Sequence, residues 1–203
     1  MHPEDVIIVP WGIWIVSWMA AAVWSGRTVK SPAIGSQWPY RILELLGFAL
    51  LLGFRQGRQG FGGYRGGDVS DDPFSQHFWS VAPDTGWLLV GLASAGFLFS
   101  WWARLHLGRL WSGSVTKKEG HHVVDSGPYA IVRHPIYTGM LVAAAATAAV
   151  KGSGYALSGF VVLFVGLWLK ARLEERFLRA ELGAQAYDAY ARKTAMIIPY
   201  VRI

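Results

Sequence analysis

The chain has 203 residues, of which 53% are hydrophobic and 16% charged, with 11 Trp, no Cys and a net charge of +6. A soluble domain carries about 25% charged residues, so this balance points to a polytopic membrane protein and excludes disorder, collagen and disulfide-rich secreted scaffolds. With no cysteine there is no structural disulfide, thiolate zinc site or cysteine nucleophile, and no Gly-x-Gly-x-x-Gly follows a strand-like run as a Rossmann domain requires.

The first apolar block, Val6–Trp24, contains no charge and follows an acidic start, Met-His-Pro-Glu-Asp. A secretory signal would place basic residues before a shorter core, so this block reads as a retained span. The second, Tyr40–Phe54, is shorter and carries Glu44 and Gly47, which predicts a tilted span or one extended at its ends. Between Arg55 and Pro83 lie six glycines in eleven residues, then Asp68, Asp71 and Asp72, the composition of a flexible loop. Gly86–Trp102 reads as the third span and Ile136–Val150 as the fourth. The fourth has an interior of small residues that lets a neighbouring helix or a ligand approach closely. The fifth, Tyr155–Lys170, runs on into a charged helix, Arg172–Lys193.

The prediction is therefore an all-α polytopic membrane protein. It has about five transmembrane helices plus a cytoplasmic amphipathic C-terminal helix. Residues 1–85 form an N-terminal two-span region with its Gly-rich loop, and residues 86–203 form the core. With the C-terminus in the cytoplasm and the N-terminus outside, 15 of the 19 Lys and Arg residues fall on the cytoplasmic side. That is the positive-inside pattern. The +6 charge then describes orientation, and nucleic-acid binding loses its main support.

The unusual polar residues gather in two segments, Ser112–Tyr137 and Lys170–Tyr190. Ser126-Gly127-Pro128-Tyr129 reads as a turn. Arg133-His134-Pro135 precedes an apolar span, and Pro135 suits the first position of a helix, whose free N–H groups attract negative charge. His121, His122 and His134 have no metal-ligand spacing, so no metal is predicted. Lys170 and Glu174 stand one helical turn apart on one face, with Glu175 and Arg172 directed elsewhere. Taken alone, that helix reads as amphipathic and membrane-bound. A Glu174-Glu175 pair gains nothing from anionic lipid, however, and calls for a cationic partner such as Arg133 or a bound amine.

In this order, Gly127-Pro128-Tyr129, Arg133-His134-Pro135-x-Tyr137-x-Gly139, Glu174-Glu175 and Leu182-Gly183-x-x-x-Tyr187-x-x-Tyr190 resemble the isoprenylcysteine carboxyl methyltransferase family. More distantly they resemble the phospholipid methyltransferases. The resemblance covers roughly residues 86–203 and implies an integral membrane enzyme that uses S-adenosyl-L-methionine. It implies a cofactor pocket between the last spans and the C-terminal helix, and a lipophilic or lipidated substrate arriving through the bilayer. By the same resemblance His121, His122, Val123, Val124, Tyr129, His134, Pro135, Ile136, Tyr137 and Glu174 contact the cofactor, with Ser114 a further polar contact. Where the prenylcysteine enzymes have an arginine one turn before the glutamate, this chain has Lys170, which keeps the charge without the two-pronged grip on a carboxylate.

Methyl transfer from a sulfonium depends chiefly on positioning. A carboxylate acceptor needs no base, whereas an amine or thiol must lose a proton. The reading is direct transfer, with Glu174 holding the cofactor's ammonium end and Lys170 or Arg133 orienting an anionic acceptor. The alternatives are a phospholipid N- or thiol S-methyltransferase of the same architecture, and an NADPH-dependent membrane reductase with Lys117-Lys118 at the 2′-phosphate. A structural membrane protein without a cofactor pocket is the non-enzyme alternative.

Overall fold

The computed structural model describes residues 2–53, 74 and 77–201. It is mostly helical. A short turn of helix, α1 (Pro3–Val6), leads into α2 (Ile8–Ala22), then α3 (Ile34–Leu52), α4 (Pro83–Leu107), α5 (Pro135–Lys151), α6 (Gly154–Leu182) and α7 (Ala184–Lys193). The Gly-rich stretch predicted as a loop lies almost wholly outside the described residues.

Three stretches are long and apolar enough to cross a membrane, Pro3–Ala22, Pro83–Leu110 and Gly154–Leu182, and α5 is a shorter apolar helix. The second predicted span forms a 19-residue helix that begins six residues earlier than expected, through Pro39, and carries Arg41 and Glu44. The helices run alternately between two ends. At one end Gly26 N–H donates to the Arg109 carbonyl, and Lys30 and Lys117 pair with Glu181. At the other, the Trp79 indole donates to the Ala149 carbonyl and Lys151 to the Leu51 carbonyl.

A minimal strand pair accompanies the helices: Thr28–Lys30 (β1) and Lys117–Lys118 (β2) pair antiparallel and tie the α2–α3 connection to the segment after α4. One expectation is corrected: Arg172–Lys193 is not one helix. The fifth span continues without a break to Leu182, and the chain turns at Gly183, whose φ of 100° suits a residue without a Cβ, before α7 starts.

α5 sits in the middle. Its buried positions include Gly139, Ala143, Ala144, Ala146, Thr147 and Ala148. Within lipid, helices gain little from burying apolar surface against one another, so close backbone approach decides packing. A Cβ at Gly139 would strike Gly96 and Ser100 on α4, and one at Gly47 on α3 would lie 2.7 Å from the Leu163 backbone on α6. α2 is fastened to α5 by the Trp11 indole, which donates to the Thr147 hydroxyl at 2.9 Å. Outward-facing Ile13, Val16, Met19, Leu45 and Leu98 are exposed, as lipid-facing residues should be.

Candidate functional site

One cavity of about 280 Å³ opens near the end of the bundle where most basic residues gather. Its walls come from two sources. One wall is the connection between α4 and α5, the start of α5, the last turns of α6, and α7. The other is α2 and α3.

On the first wall, Pro135 is the first residue of α5 and His134 its cap, as the proline predicts. The backbone N–H groups of Arg133 and His134 donate to the carbonyls of Ala195 and Met196. The buried stretch Thr194–Ile197 is thereby clamped over the helix start. Arg133 reinforces the clamp. Its Nε donates to Glu175 at 2.6 Å, and its Nη1 donates to the carbonyls of Ala191 and Thr194. Glu175 does point away from the cavity that Lys170 and Glu174 line, and it receives both Arg133 and, at 3.2 Å, Nε2 of His134. Arg133 is committed to tying three segments together.

The His134 ring stacks on Tyr137, with planes 2° apart and centroids 5.2 Å apart. Tyr137 in turn donates its hydroxyl to Glu174 at 2.8 Å. His134 Nδ1 lies 3.9 Å from the same carboxylate. Glu174 thus faces the cavity, held from one side, with acceptor capacity left over. The Lys170 ammonium, one turn earlier, lies 5.3 Å from the Tyr137 ring and 5.4 Å from the Tyr40 ring. At 3.4 Å from it stands Glu44 of α3.

The connection before α5 supplies the rest of this wall: Ser114, His121, His122, Val123, Val124 and Tyr129. His121 Nδ1 accepts from the Lys118 backbone N–H. Burial pushes the His121 imidazole below its usual value, and neighbouring His122, Lys117 and Lys118 push the same way against an opposing pull from Glu174. The ring is therefore neutral at neutral pH. Tyr129 is buried, its hydroxyl directed at the Ala103 carbonyl, and burial raises its phenol well above the ordinary range, so it remains protonated. Its own carbonyl accepts from the Tyr190 hydroxyl at 2.8 Å, which brings α7 onto the site. Tyr187 and Tyr190 both line the cavity, so the aromatic side of α7 faces inward.

Every residue expected at the cofactor or at the reacting centre lines this single cavity: Ser114, His121, His122, Val123, Val124, Tyr129, Arg133, His134, Pro135, Ile136, Tyr137, Lys170 and Glu174. The second wall was not anticipated. It consists of Trp14, Trp18, Glu44 and Phe48, with Trp111 and Met140 beside them. Trp14 stacks on Trp18 at 4.8 Å, and Trp18 meets Trp111 edge-on at 5.5 Å. A signal for Glu44 was present in the sequence, since a carboxylate inside an apolar span is costly and marks a functional site by default. The tryptophans gave no such signal, because aromatic residues are common in spans.

Among the described residues, four buried side-chain polar atoms lack a hydrogen-bond partner: Trp14 Nε1, Glu44 Oε1, Arg104 Nε and Thr116 Oγ1. Trp14, Glu44 and Thr116 all line the cavity. Buried polar groups are normally satisfied, so such a concentration around one cavity marks a place for polar ligand atoms. The Thr116 hydroxyl, the spare Glu174 oxygens and the neutral His121 suit a ligand bearing hydroxyl and ammonium groups, as S-adenosyl-L-methionine does. Among the described residues no three His, Cys, Asp or Glu side chains converge as metal ligands would.

Residues 89–179 match the model of the isoprenylcysteine carboxyl methyltransferase (ICMT) family. The chain is also similar to methanethiol S-methyltransferase 2 of Bradyrhizobium diazoefficiens, with 32% identity over 139 residues, covering 63% of this chain and 51% of that protein. It thus spans about half the length of the curated relative it matches. The family segment contains Lys170 and Glu174 but neither α2 nor α3.

Proposed function

We propose that this chain is an integral membrane methyltransferase that uses S-adenosyl-L-methionine and methylates a small thiol. The family segment and the relative named as a methanethiol methyltransferase support methyl transfer. The cavity's polar wall supports the cofactor. When bound, the cofactor supplies an electrophilic methyl group on sulfur. Glu174 holds its ammonium end, with Tyr137 and His134 fixing the carboxylate, while Tyr129, Val123 and Val124 pack against it.

The observation that carries the choice of acceptor is the pairing of Lys170 with Glu44. A carboxylate acceptor needs an unspent cation to hold it. Among the described residues, Lys170 and Arg133 are the Lys and Arg side chains that line the cavity, and both are already paired, with Glu44 and Glu175 respectively. The Lys170–Glu44 pair carries no net charge and so does not select for an anionic acceptor over a neutral thiol. The small volume agrees: about 280 Å³ falls just below the roughly 300–1,000 Å³ usual for small-molecule sites, which favours a small acceptor.

The second reading is carboxyl O-methylation of a prenylcysteine-like substrate, favoured by the family's name and by the presence of Lys170 at the cavity. An N-methyltransferase acting on phospholipid has no feature of its own here. An NADPH reductase is disfavoured, since Lys117 is bound to the Glu181 carbonyl and Lys118 to the Thr28 hydroxyl, and neither lines the cavity.

The test is incubation of purified protein with S-adenosyl-L-methionine carrying a labelled methyl group. It is offered methanethiol in one arm and an S-prenylated cysteine with a free carboxyl group in the other. Label in a volatile thioether supports the thiol reading. Label only in a base-labile ester establishes the carboxyl reading in its place.

A further inference from the structure

The geometry points to an acceptor subsite built by the two N-terminal helices, in which Glu44 of α3 takes the proton of the acceptor thiol and the Trp14 indole of α2 hydrogen-bonds its sulfur. This rests on the thiol reading and adds to it two residues from outside the family segment.

The observation behind it is a complementary pair of unsatisfied groups. Trp14 Nε1 is a donor and Glu44 Oε1 an acceptor; both are buried, and both residues line the cavity. Glu44 Oε1 lies 3.4 Å from Lys170 Nζ, yet outside hydrogen-bonding geometry, so Coulomb attraction holds the two while the oxygen's lone pair stays free. An orphaned donor or acceptor costs free energy unless a ligand meets it. A thiol offers the complement of each group: it is a weak S–H donor and a weak sulfur acceptor. The surfaces around the two groups are aromatic. Trp14 stacks on Trp18, and Phe48 follows Glu44 by one helical turn on α3. Sulfur makes favourable contacts with such rings.

The chemistry balances. The S–H bond breaks with its electron pair left on sulfur, and the proton passes to the Glu44 carboxylate beside the Lys170 ammonium. The acceptor sulfur forms the new S–C bond to the methyl carbon as the donor's S⁺–CH3 bond breaks, the electron pair of that bond returning to the donor sulfur and neutralising it. Glu44 then returns the proton to water as the thioether leaves. Lys170 keeps the same role throughout, offsetting negative charge first on Glu44 and then on the thiolate.

The experiment uses the full chain in detergent with two thiols: 1-propanethiol, which is protonated at neutral pH, and thiophenol, which is largely ionised. In Glu44→Gln, kcat/KM for propanethiol falls about a hundredfold, the scale of a lost general base, whereas thiophenol loses only a few-fold. In Trp14→Phe, which keeps the ring and removes the N–H, KM for propanethiol rises about three- to tenfold with kcat nearly unchanged. The same variant binds methyl propyl sulfide, the thioether product, more weakly by calorimetry without any turnover, while binding of S-adenosylhomocysteine is unchanged in both variants. Equal losses for the two thiols in Glu44→Gln, or unchanged thioether affinity in Trp14→Phe, overturn the subsite. If the wild-type chain methylates neither thiol, the thiol reading itself falls, and the subsite with it.

Discussion

The two walls of the cavity are built on opposite plans. The wall from Ser112 to Tyr190 is rich in hydrogen bonds that close on themselves. Arg133 binds Glu175 and two carbonyls, Tyr137 binds Glu174, and Tyr190 binds the Tyr129 carbonyl. The wall from α2 and α3 is aromatic, and among the described residues its buried Trp14 Nε1 and Glu44 Oε1 lack hydrogen-bond partners. A wall braced in this way is pre-organised for one invariant ligand, with Thr116 Oγ1 and Glu174 left to meet it and little rearrangement needed to receive it. An aromatic wall with open polar groups sets which acceptor is admitted and can vary between relatives without disturbing the cofactor.

The largest effect that sharpens this contrast comes from Arg133→Met. Removing one partner of a buried ion pair leaves the other charge unpaired and costs about 3–5 kcal/mol. Arg133 and Glu175 side chains are only 7% and 15% exposed, and two carbonyls of the C-terminal clamp lose their donor as well. Unfolding by denaturant titration in detergent should show a loss of this size. A loss under 1 kcal/mol would mean the clamp holds by backbone contacts alone.

Glu174→Ala comes next. It leaves the Arg133–Glu175 pair intact and removes only a cavity-facing carboxylate. Binding of S-adenosylhomocysteine by calorimetry should weaken by roughly 10- to 100-fold, the worth of one hydrogen bond to a charged group. On the other wall, Phe48→Leu should keep that affinity within about twofold, as expected of sites that share no partners. Loss of cofactor affinity in Phe48→Leu would break the division into two walls.

A pH effect of smaller size follows from His121. Its folded-state value lies below the ordinary 6.5 because burial disfavours the cation. The unfolded chain therefore binds a proton more readily than the folded one. The stability tied to the neutral ring is complete above pH 6.5 and is lost progressively as pH falls below it. Melting temperatures at pH 7.5 and 5.5 should differ more for the wild type than for His121→Gln. Identical pH slopes in the two would remove His121 from the buried wall.

How much of this was legible in the sequence differed in the same way between the walls. The cofactor wall rests on turns, a helix-opening proline and side chains at helical spacing, all local features that a linear reading can see. Gly127-Pro128, Pro135 and the Lys170–Glu174 turn fell where they were expected. The pairing of Arg133 with Glu175 rather than with Glu174 depends on how α5 meets α6, which no local pattern encodes. The break at Gly183 shows in the sequence only as a glycine, because the charged pattern continues on both sides of it. The aromatic wall depends wholly on which faces of α2 and α3 turn inward. Small residues on the partner helices decide that, Gly159 against α3 among them, and α2 itself shows no polar stripe that would mark its inner side.

The smallest predicted effect separates the two roles of tryptophan within α2. Trp11 and Trp14 are less than one turn apart, and both are buried. The Trp11 N–H donates to Thr147, whereas the Trp14 N–H has no partner among the described residues. Replacing either ring by phenylalanine removes an N–H and some ring area. Only at position 11 does it also leave the Thr147 hydroxyl without its donor. Hydrogen bonds between membrane helices are worth about 0.6 kcal/mol on average. Trp11→Phe should therefore cost about that much more stability than Trp14→Phe in the same denaturant titration. Trp14→Phe should instead register in the acceptor's KM. If the two variants lose equal stability, the Trp14 N–H has a partner within the fold, and the open face of the aromatic wall closes.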